Sequence, residues 1–326
     1  MRALLTVLAV LAAAAPTSAS LLIYEPFNYP SGANLNGQVN ASTGGQWLKS
    51  GSNPSGDNQS ISSTPLSYPG LQPGAGLSLF TPRLSAANNT ANRLTMPSAP
   101  YTRAAGGSLF YSFTYRLLEW DAISDSGAKN ATHRKGGLIA GFHGGVANTA
   151  TGMGNAAAFA GTVWVRRAID YSQTGTDGTP GTQNSQYELG ILKTALSPTP
   201  EEMELAFDTS QTFDIGDTLF VVVEYQFVDD GTANGDIARM WINPTPGVLS
   251  SPSIVAPVNT AGITGSINSF FIFSHTNSPG DSLVDEVRVG TTFASVTPVP
   301  EPTSAVLAGI AAVGLVRRRR RRSFAS

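Results

Sequence analysis

Paired carboxylates are the groups through which this chain of 326 residues could hydrolyse a glycosidic bond. Hydrolysis with retention needs two carboxyl groups in one cleft, about 5 to 5.5 Å apart. Asp285 and Glu286 are neighbours in a predicted strand, so we expect their side chains to point to opposite faces. The acidic run Glu201, Glu202 and Glu204 falls outside any predicted strand. The sequence therefore predicts no catalytic residue and no enzyme, and a glycoside hydrolase stays open only as a third alternative.

Histidine and cysteine chemistry is restricted by the composition. The chain has no cysteine, so thiol catalysis and cysteine-ligated metals are excluded. Its histidines, His133, His143 and His275, do not have the i, i+2 or i, i+4 spacing of a local metal pair. We expect them to lie on the surface or at strand ends without a ligand role.

A turn rich in oxygen donors is the main candidate for a metal site. Residues 230–236, Asp-Gly-Thr-Ala-Asn-Gly-Asp, place side-chain oxygens at Asp230, Asn234 and Asp236. An EF-hand loop begins in the same way, but Trp241 stands where that loop has its bidentate glutamate. Two interpretations stay open, a calcium site and a solvated hairpin turn, and the second is favoured. No other cofactor is expected.

Exposed aromatic rings are the groups that could bind a sugar, because a ring face stacks on the apolar face of a pyranose. Trp47 and Trp120 lie at the borders of predicted loops, and they are the candidate ligand-binding residues. An extracellular polysaccharide is the ligand that such rings would suit. Trp164 and Trp241 lie within predicted strands, so we expect them in the core.

The elements that must position these groups are predicted to be strands. The 34 glycines and 21 prolines are typical of many short strands joined by long turns. We therefore predict an all-β fold, an antiparallel β-sandwich of the jelly-roll kind, with residues 32–76 forming a long loop. Alternation and β-branched or aromatic residues predict strands at 21–24, 77–81, 108–118, 137–142, 159–167, 187–192, 218–228, 237–243, 269–275 and 284–289.

The clearest of these strands covers residues 219–227, Leu-Phe-Val-Val-Val-Glu-Tyr-Gln-Phe. Its odd-numbered residues are all apolar, whereas its even-numbered residues become polar from Glu224 onward. That pattern is typical of a central sandwich strand, with the odd-numbered side chains in the core. The connection 229–236 is rich in Asp, Gly and Asn, so residues 219–227 and 237–243 should form an antiparallel hairpin.

The N-terminal residues predict export. Arg2 is followed by an apolar run at 4–15 and by small residues at 16–20, the order of a secretory signal peptide. We assign residues 1–19 to this peptide, with the Sec export machinery as the partner it implies. Residues 20–298 then form one β-sandwich domain, since such sandwiches often reach 200 to 250 residues.

The charge of the domain excludes one class of partner. Residues 21–298 carry 13 basic and 21 acidic side chains, a net charge of −8. An acidic surface repels phosphate backbones, so we expect no binding to nucleic acid. The absence of cysteine leaves core packing, rather than disulfides, as the source of stability in an exported domain.

The C-terminal residues form a three-part signal. Its first part is Val299, Pro300, Glu301 and Pro302, its second is the apolar run 305–316, and its third is the cluster Arg317, Arg318, Arg319, Arg320, Arg321 and Arg322. This order, within residues 299–322, resembles the PEP-CTERM sorting signal of exported bacterial proteins, and residues 323–326 are a short tail. The resemblance implies transient retention in the inner membrane, processing near Pro-Glu-Pro by an exosortase, and delivery to the cell surface or extracellular matrix.

The length of the apolar run agrees with a temporary anchor. A helix of these 12 residues would be about 18 Å long, whereas the hydrocarbon core of a bilayer is about 30 Å thick. The arginines should stay on the cytoplasmic side, which places the folded domain outside. We therefore predict a short hydrophobic anchor helix that crosses the membrane only marginally.

Three motifs bracket the domain. They are Glu-Pro-Phe-Asn-Tyr-Pro-Ser-Gly at 25–32, Met-Trp-Ile-Asn-Pro at 240–244 and Leu-Val-Asp-Glu-Val-Arg-Val-Gly at 283–290. In this order they resemble landmarks of concanavalin A-like, laminin-G-like jelly rolls. Such domains bind glycans, bind proteins or carry glycosidase sites, but the Glu-x-Asp-x-x-Glu pattern of the related hydrolases is absent. We expect a structural or adhesive surface protein, with a carbohydrate-binding, lectin-like module as the alternative.

Overall fold

The computed structural model shows a sandwich of two antiparallel sheets, which confirms the predicted all-β fold. It describes residues 20–51, 59–72, 74–84, 90–119, 136–145, 158–169, 183–194, 206–228, 235–256, 262–263, 265–274 and 280–300. The predicted signal peptide and the predicted anchor helix lie outside these residues.

The strands follow one another along the described chain, with one short helix after the last strand. They are β1 (Leu21–Glu25), β2 (Leu48–Gly51), β3 (Ser60–Ser62), β4 (Ser78–Thr81), β5 (Thr90–Thr95), β6 (Ser108–Leu117), β7 (Gly137–His143), β8 (Phe159–Ile169), β9 (Gln183–Leu192), β10 (Phe213–Asp214), β11 (Leu219–Gln226), β12 (Ile237–Ile242), β13 (Ile254–Val255), β14 (Ser269–Ser274) and β15 (Ser282–Gly290), followed by α1 (Phe293–Val296).

One sheet has eight strands in the order β13-β12-β11-β6-β15-β4-β3, with β1 also paired to β15. The other has seven strands in the order β10-β9-β8-β7-β14-β5-β2. The predicted hairpin is confirmed, since β11 and β12 pair antiparallel from Val221 opposite Ile242 to Gln226 opposite Ile237. Strand β15 is central, because it pairs with β6 on one side and with β4 and then β1 on the other.

Side-chain alternation divides each central strand between two environments. In β11 the odd-numbered side chains, such as Val221 and Val223, lie in the central core between the sheets. Phe220 and Val222 point away from that core into a separate apolar cluster on the outer face of the eight-stranded sheet. The predicted faces of this strand are therefore confirmed. On its outer face, the first half of the strand, with Phe220 and Val222, is buried as well.

The same division occurs in the seven-stranded sheet. In β14, Phe270 and Ile272 belong to the central core, whereas Phe271 and Phe273 belong to a cluster on the opposite face. We call this second side the outer face of the seven-stranded sheet. It is also buried in large part, because Phe159, Trp164 and the alternate aromatic residues of β14 are almost inaccessible to solvent.

Five of the described strands were not predicted, and they are short or polar. Strands β2 and β3 lie within residues 32–76, so the prediction of one long loop there is wrong. Strand β5, Thr-Ala-Asn-Arg-Leu-Thr, lacks the alternation of apolar residues that marks a strand in sequence. Its polar side chains form bonds inside the sheet instead, as Asn92 Nδ2 donates to Gln59 Oε1 at 2.7 Å and Arg93 Nε donates to Ser50 Oγ at 2.6 Å.

Candidate functional site

The segment that leads from the domain to the tail is held on the outer face of the eight-stranded sheet. We call residues 291–300 the exit segment. It begins with α1, whose N-cap residue Thr292 accepts a hydrogen bond from Ser295 N through its side chain. Ser295 Oγ in turn accepts from Thr292 N at 3.3 Å, which completes a capping box.

Apolar packing fixes α1 in place. Phe293 and Val296 join a cluster that we call the cap cluster, and Phe293 lies edge-on to Phe110 and Trp241, with ring centroids 6.5 and 5.4 Å apart. Burying side chains of this size contributes about 1.5 to 3 kcal/mol each. The complete cap cluster consists of Leu71, Phe110, Phe220, Val222, Trp241, Phe293 and Val296.

Hydrogen bonds extend this attachment to the residue before the sorting motif. Ser112 Oγ of β6 donates to the carbonyl oxygen of Val296 at 2.6 Å. Gln72 N donates to the carbonyl oxygen of Pro298 at 2.9 Å, and Gly247 N donates to Thr297 Oγ1 at 3.1 Å. The exit segment is thereby bonded to the fold from α1 to Pro298.

The sorting residues begin where these bonds end. Val299 is 49% exposed, and Pro300 is also exposed. Glu301 and Pro302 lie outside the described residues, as do Arg317, Arg318, Arg319, Arg320, Arg321 and Arg322. The arrangement presents the start of Val-Pro-Glu-Pro at the surface, where another protein could reach it.

A buried arginine and histidine meet on the outer face of the seven-stranded sheet. Arg93 Nε donates to Ser50 Oγ at 2.6 Å, and its Nη1 lies 2.9 Å from His143 Nδ1. Gly145 N also donates to this Nδ1, at 2.8 Å. Because both neighbours can only donate, Nδ1 accepts and the proton of the neutral ring lies on Nε2.

This histidine lies at a strand end, as expected from sequence, but it is not on the surface. His143 does end β7, but it is only 5% exposed. Burial, with the charge of Arg93 as the second cause, lowers the pKa of His143 to about 4. The ring is therefore neutral at pH 7, and its buried Nε2 has no hydrogen-bond partner among the residues that the structure describes. A donor of this kind can bind a ligand or a water molecule.

A buried ion pair lies on the same face. Arg166 Nε donates to Glu188 Oε2 at 3.0 Å, and both side chains are almost completely buried. The guanidinium also stacks on the ring of Phe207, 4.1 Å from its centroid. Such a stacked, paired arginine holds neighbouring strands β8 and β9 in register.

The carboxylates of Asp285 and Glu286 do not point to opposite faces, so that prediction is wrong. The pairing of β15 with β6 shifts register between Asp285 and Arg288, and Glu286 has a φ of 55°. This bulge turns both acidic side chains toward the loop 64–76, between the core residues Val284 and Val287.

Both carboxylates hold that loop rather than line a cleft. Asp285 Oδ2 accepts from Leu66 N at 2.8 Å, and burial raises the pKa of Asp285 to about 8. Glu286 Oε2 accepts from Arg288 Nη2 at 2.6 Å, and Arg288 also donates to the carbonyl oxygen of Gln72 at 3.1 Å. These contacts place the loop beside the exit segment.

The structure places Trp47 in the interior, which corrects the expectation of an exposed ring. Trp47 is 0% exposed and lies edge-on to Phe270 of the central core, with centroids 6.5 Å apart. Its Nε1 donates to Glu25 Oε2 at 2.8 Å. A ring so enclosed has no face free for a sugar, whereas Trp120 lies outside the described residues. Trp164 and Trp241 are buried as predicted.

Asp236 is also engaged within the fold. Its Oδ2 accepts from Arg103 Nη2 at 2.6 Å and from Tyr225 OH at 2.7 Å. Its Oδ1 accepts from Arg103 Nε and from Val228 N, both at 3.1 Å. The carboxylate is thereby paired with a cation and with two neutral donors. The other two expected ligands, Asp230 and Asn234, lie outside the described residues.

The described ranges lack both a metal-binding cluster and a membrane-spanning helix. No three or more His, Asp or Glu side chains there are arranged to hold a metal ion. No helix in the same part of the chain has the length and apolar composition needed to cross a membrane.

Comparison with known proteins identifies the tail. Residues 298–321 match the PEP-CTERM protein-sorting motif. This match confirms the interpretation of the C-terminal signal, and it marks an exported protein that is sorted through its C terminus as a substrate for an exosortase-type enzyme. No curated protein matches the chain.

Solved structures resemble the domain only distantly. A mutant of alginate lyase Aly36B in complex with alginate trisaccharide is 14% identical, with 84% of this chain and 100% of that chain covered and a TM-score of 0.42. The Emp47p carbohydrate recognition domain is 9% identical, with 85% and 99% covered and a TM-score of 0.37. An engineered GH43 glycoside hydrolase is 10% identical, with 68% and 36% covered and a TM-score of 0.36. At these identities and TM-scores no activity or ligand carries over to this chain.

Proposed function

We propose that this chain is a non-catalytic structural or adhesive component of the cell surface or extracellular matrix. The observation that carries the proposal is the exit segment, which is bonded to the domain as far as Pro298 and leaves Val299 and Pro300 exposed. A folded domain that ends at its own sorting motif suits a protein whose destination is set by that motif. The Sec machinery would export it, and the inner membrane would hold it transiently.

The roles of the tail follow from its chemistry. Val299, Pro300, Glu301 and Pro302 would form the sequence that the processing enzyme reads. The arginine cluster 317–322 would keep the end of the tail on the cytoplasmic side of the inner membrane. Processing near Pro-Glu-Pro would then release the domain, without the arginines, to the surface.

The sorting step can be tested by replacing Pro300, Glu301 and Pro302 with alanine. We expect an unprocessed, membrane-retained form that still carries the arginines in mass spectrometry. A control with lysines at 317–322 keeps the positive charge and should be processed normally. Intact arginines on most of the released wild-type protein would show that this proposal is wrong.

Glycan binding is the second candidate function, and the outer face of the seven-stranded sheet favours it. The aromatic rings of that face are buried, and the group that it offers to a ligand is the donor His143 Nε2, which has no hydrogen-bond partner among the described residues. Sugars are oriented by hydrogen bonds to such placed polar groups. An extracellular polysaccharide would be the partner, with weak affinity, about −4 to −8 kcal/mol for millimolar to micromolar dissociation constants.

Calorimetry with the whole protein and a panel of polysaccharides tests this candidate. Binding that is lost in His143→Phe, but kept in Val255→Ala on the edge strand β13 of the other sheet, would support it. The same titrations with and without calcium test whether an ion contributes. We expect no hydrolysis of the panel, and turnover that disappears on replacing one Asp or Glu would instead establish an enzyme.

A further inference from the structure

Three stretches of the chain contain no charged residue, and parts of them contact the exit segment. Residues 21–298 contain 34 Asp, Glu, Lys and Arg residues, yet none occurs at 58–82, 243–280 or 289–300. Gln72 from the first stretch and Gly247 from the second are bonded to the third on the outer face of the eight-stranded sheet. Gln72 N donates to the Pro298 carbonyl oxygen, and Gly247 N donates to Thr297 Oγ1. Residues 243–250 and the exit segment are therefore themselves uncharged, and Arg288, which donates to the carbonyl oxygen of Gln72 beside them, is 3% exposed and paired with Glu286.

Apolar side chains protrude from this uncharged surface. We call residues 243–250 the exit loop. It turns at Gly247, where φ is 75° and Val248 N donates to the carbonyl oxygen of Thr245. Val248 is 55% exposed and Leu249 is 65% exposed, and Val299 beside the loop is 49% exposed. Neighbouring exposed apolar side chains of this kind mark an interaction surface.

The tail restricts what can face this surface. Only residues 301–304 separate Pro300 from the apolar run that begins at Ala305. Even fully extended, this connection spans about 17 Å between the two Cα atoms. While the apolar run is in the bilayer, the exit loop must therefore stay near the headgroups.

We propose that Val248 and Leu249 insert into the interface of the bilayer in which the tail is anchored. The inference rests on the proposed sorting function, and it adds the membrane surface as a second contact of the domain. Apolar side chains gain free energy when they leave water for the boundary between headgroups and acyl chains. The exit loop and the exit segment carry no charged side chain, so their insertion avoids both the desolvation of charges and repulsion between carboxylates and anionic lipids. Release of the tail by processing would remove the tether and free the loop.

The native chain allows a clean test because it has no cysteine. Full-length Leu249→Cys, labelled with an environment-sensitive fluorophore and reconstituted in vesicles of phosphatidylethanolamine and phosphatidylglycerol, reports on the exit loop. Thr209→Cys is the matched control, since Thr209 is exposed beside Phe207 on the outer face of the other sheet. We expect a blue shift and quenching by spin-labelled lipids at position 249, and neither effect at position 209.

Flotation of the vesicles distinguishes failure of the proposed loop–membrane contact from failure of the proposed membrane retention. A chain that floats while its label at 249 remains in water and unquenched would overturn the contact but leave the sorting function intact. A shift at 249 that requires the added processing enzyme would also overturn it, because the surface would then serve that protein. A chain that does not float would contradict membrane retention itself, and the contact would be refuted with it.

Discussion

The carboxylate of Glu25 shows how a single residue organises the start of the domain. It is 1% exposed, and its oxygens accept hydrogen bonds from Phe27 N, Tyr29 OH, Asn40 Nδ2 and Trp47 Nε1 at 2.6 to 3.0 Å. Four donors replace the water that the carboxylate loses on burial. The motif at 25–32 therefore has a structural role. The sequence of the motif alone did not predict this role.

Removing one of these donors should be costly. We expect Trp47→Phe to lower the free energy of unfolding by about 2 to 3 kcal/mol, because hydrogen bonds to charged groups contribute about 1.5 to 3 kcal/mol. Trp164→Phe is the matched control, since Trp164 is equally buried but donates to the neutral hydroxyl Thr162 Oγ1 at 3.0 Å. Urea unfolding measures both variants, and equal losses would contradict a special role for the carboxylate.

The buried His143 should make stability depend on pH. Its pKa is about 4 in the folded state, below the usual 6.5, so the unfolded chain binds more protons between these values. The stabilisation is complete above pH 6.5 and is lost as the pH falls toward 4, up to about 3 kcal/mol. In His143→Gln, whose amide oxygen can still accept from Gly145 N, this part of the pH dependence should disappear. Parallel pH profiles of unfolding for the two proteins would refute the assignment.

The roles of individual buried polar and aromatic residues could be predicted least well from the sequence. The buried state of Trp47 depends on Glu25, which is 22 residues away, and His143 depends on Arg93, which is 50 residues away. Neither pair has a local spacing that could reveal it. Trp164 and Trp241 were predicted correctly because each lies inside an alternating strand, where burial follows from the local pattern.

At the scale of elements, alternation predicted the long strands and failed for the short ones. Strand β11 is buried on both faces except at Glu224 and Gln226, and its odd-numbered side chains lie in the central core. Strands β10 and β13 have two residues each, which is too short for any alternation to appear. The bulge in β15 was also invisible, because a left-handed conformation at a glutamate has no marker in sequence.

The central position of β11 leads to a prediction with an internal control. Val223→Asp places a carboxylate among core residues at a position that is 0% exposed, and we expect a loss of at least about 3 kcal/mol or failure to fold. Val255→Asp is the same substitution on the edge strand β13, where the side chain is 49% exposed. It should change stability by only about 0.5 kcal/mol. Thermal unfolding compares them, and similar melting temperatures would mean that the core face is misassigned.

At the scale of the whole molecule, the sequence predicted the sandwich fold and the C-terminal sorting motif. It did not predict how the exit segment that joins them is attached to the fold. The sandwich follows from the pattern of strands, and the sorting motif follows from the order of its three parts. The attachment of the exit segment depends on Leu71, Phe110 and Trp241, which come together only in the folded sheet. Through this attachment the fold itself, rather than a flexible linker, positions the start of the sorting motif.

A longer tether should therefore separate processing from membrane contact. We consider a Gly/Ser linker of about 20 residues inserted between Pro298 and Val299, which adds a root-mean-square reach of about 25 Å. The spacing from Val299 to the apolar run is unchanged, so processing should continue at Pro-Glu-Pro. The effective concentration of the exit loop at the bilayer falls, so the fluorophore at position 249 should move into water.

The same linker between Arg322 and Ser323 leaves the tether unaltered and should keep the wild-type signal. A label that stays in the lipid despite the inserted linker would contradict the role of the short tether, whereas lost processing would mean that the enzyme reads the folded domain together with the motif.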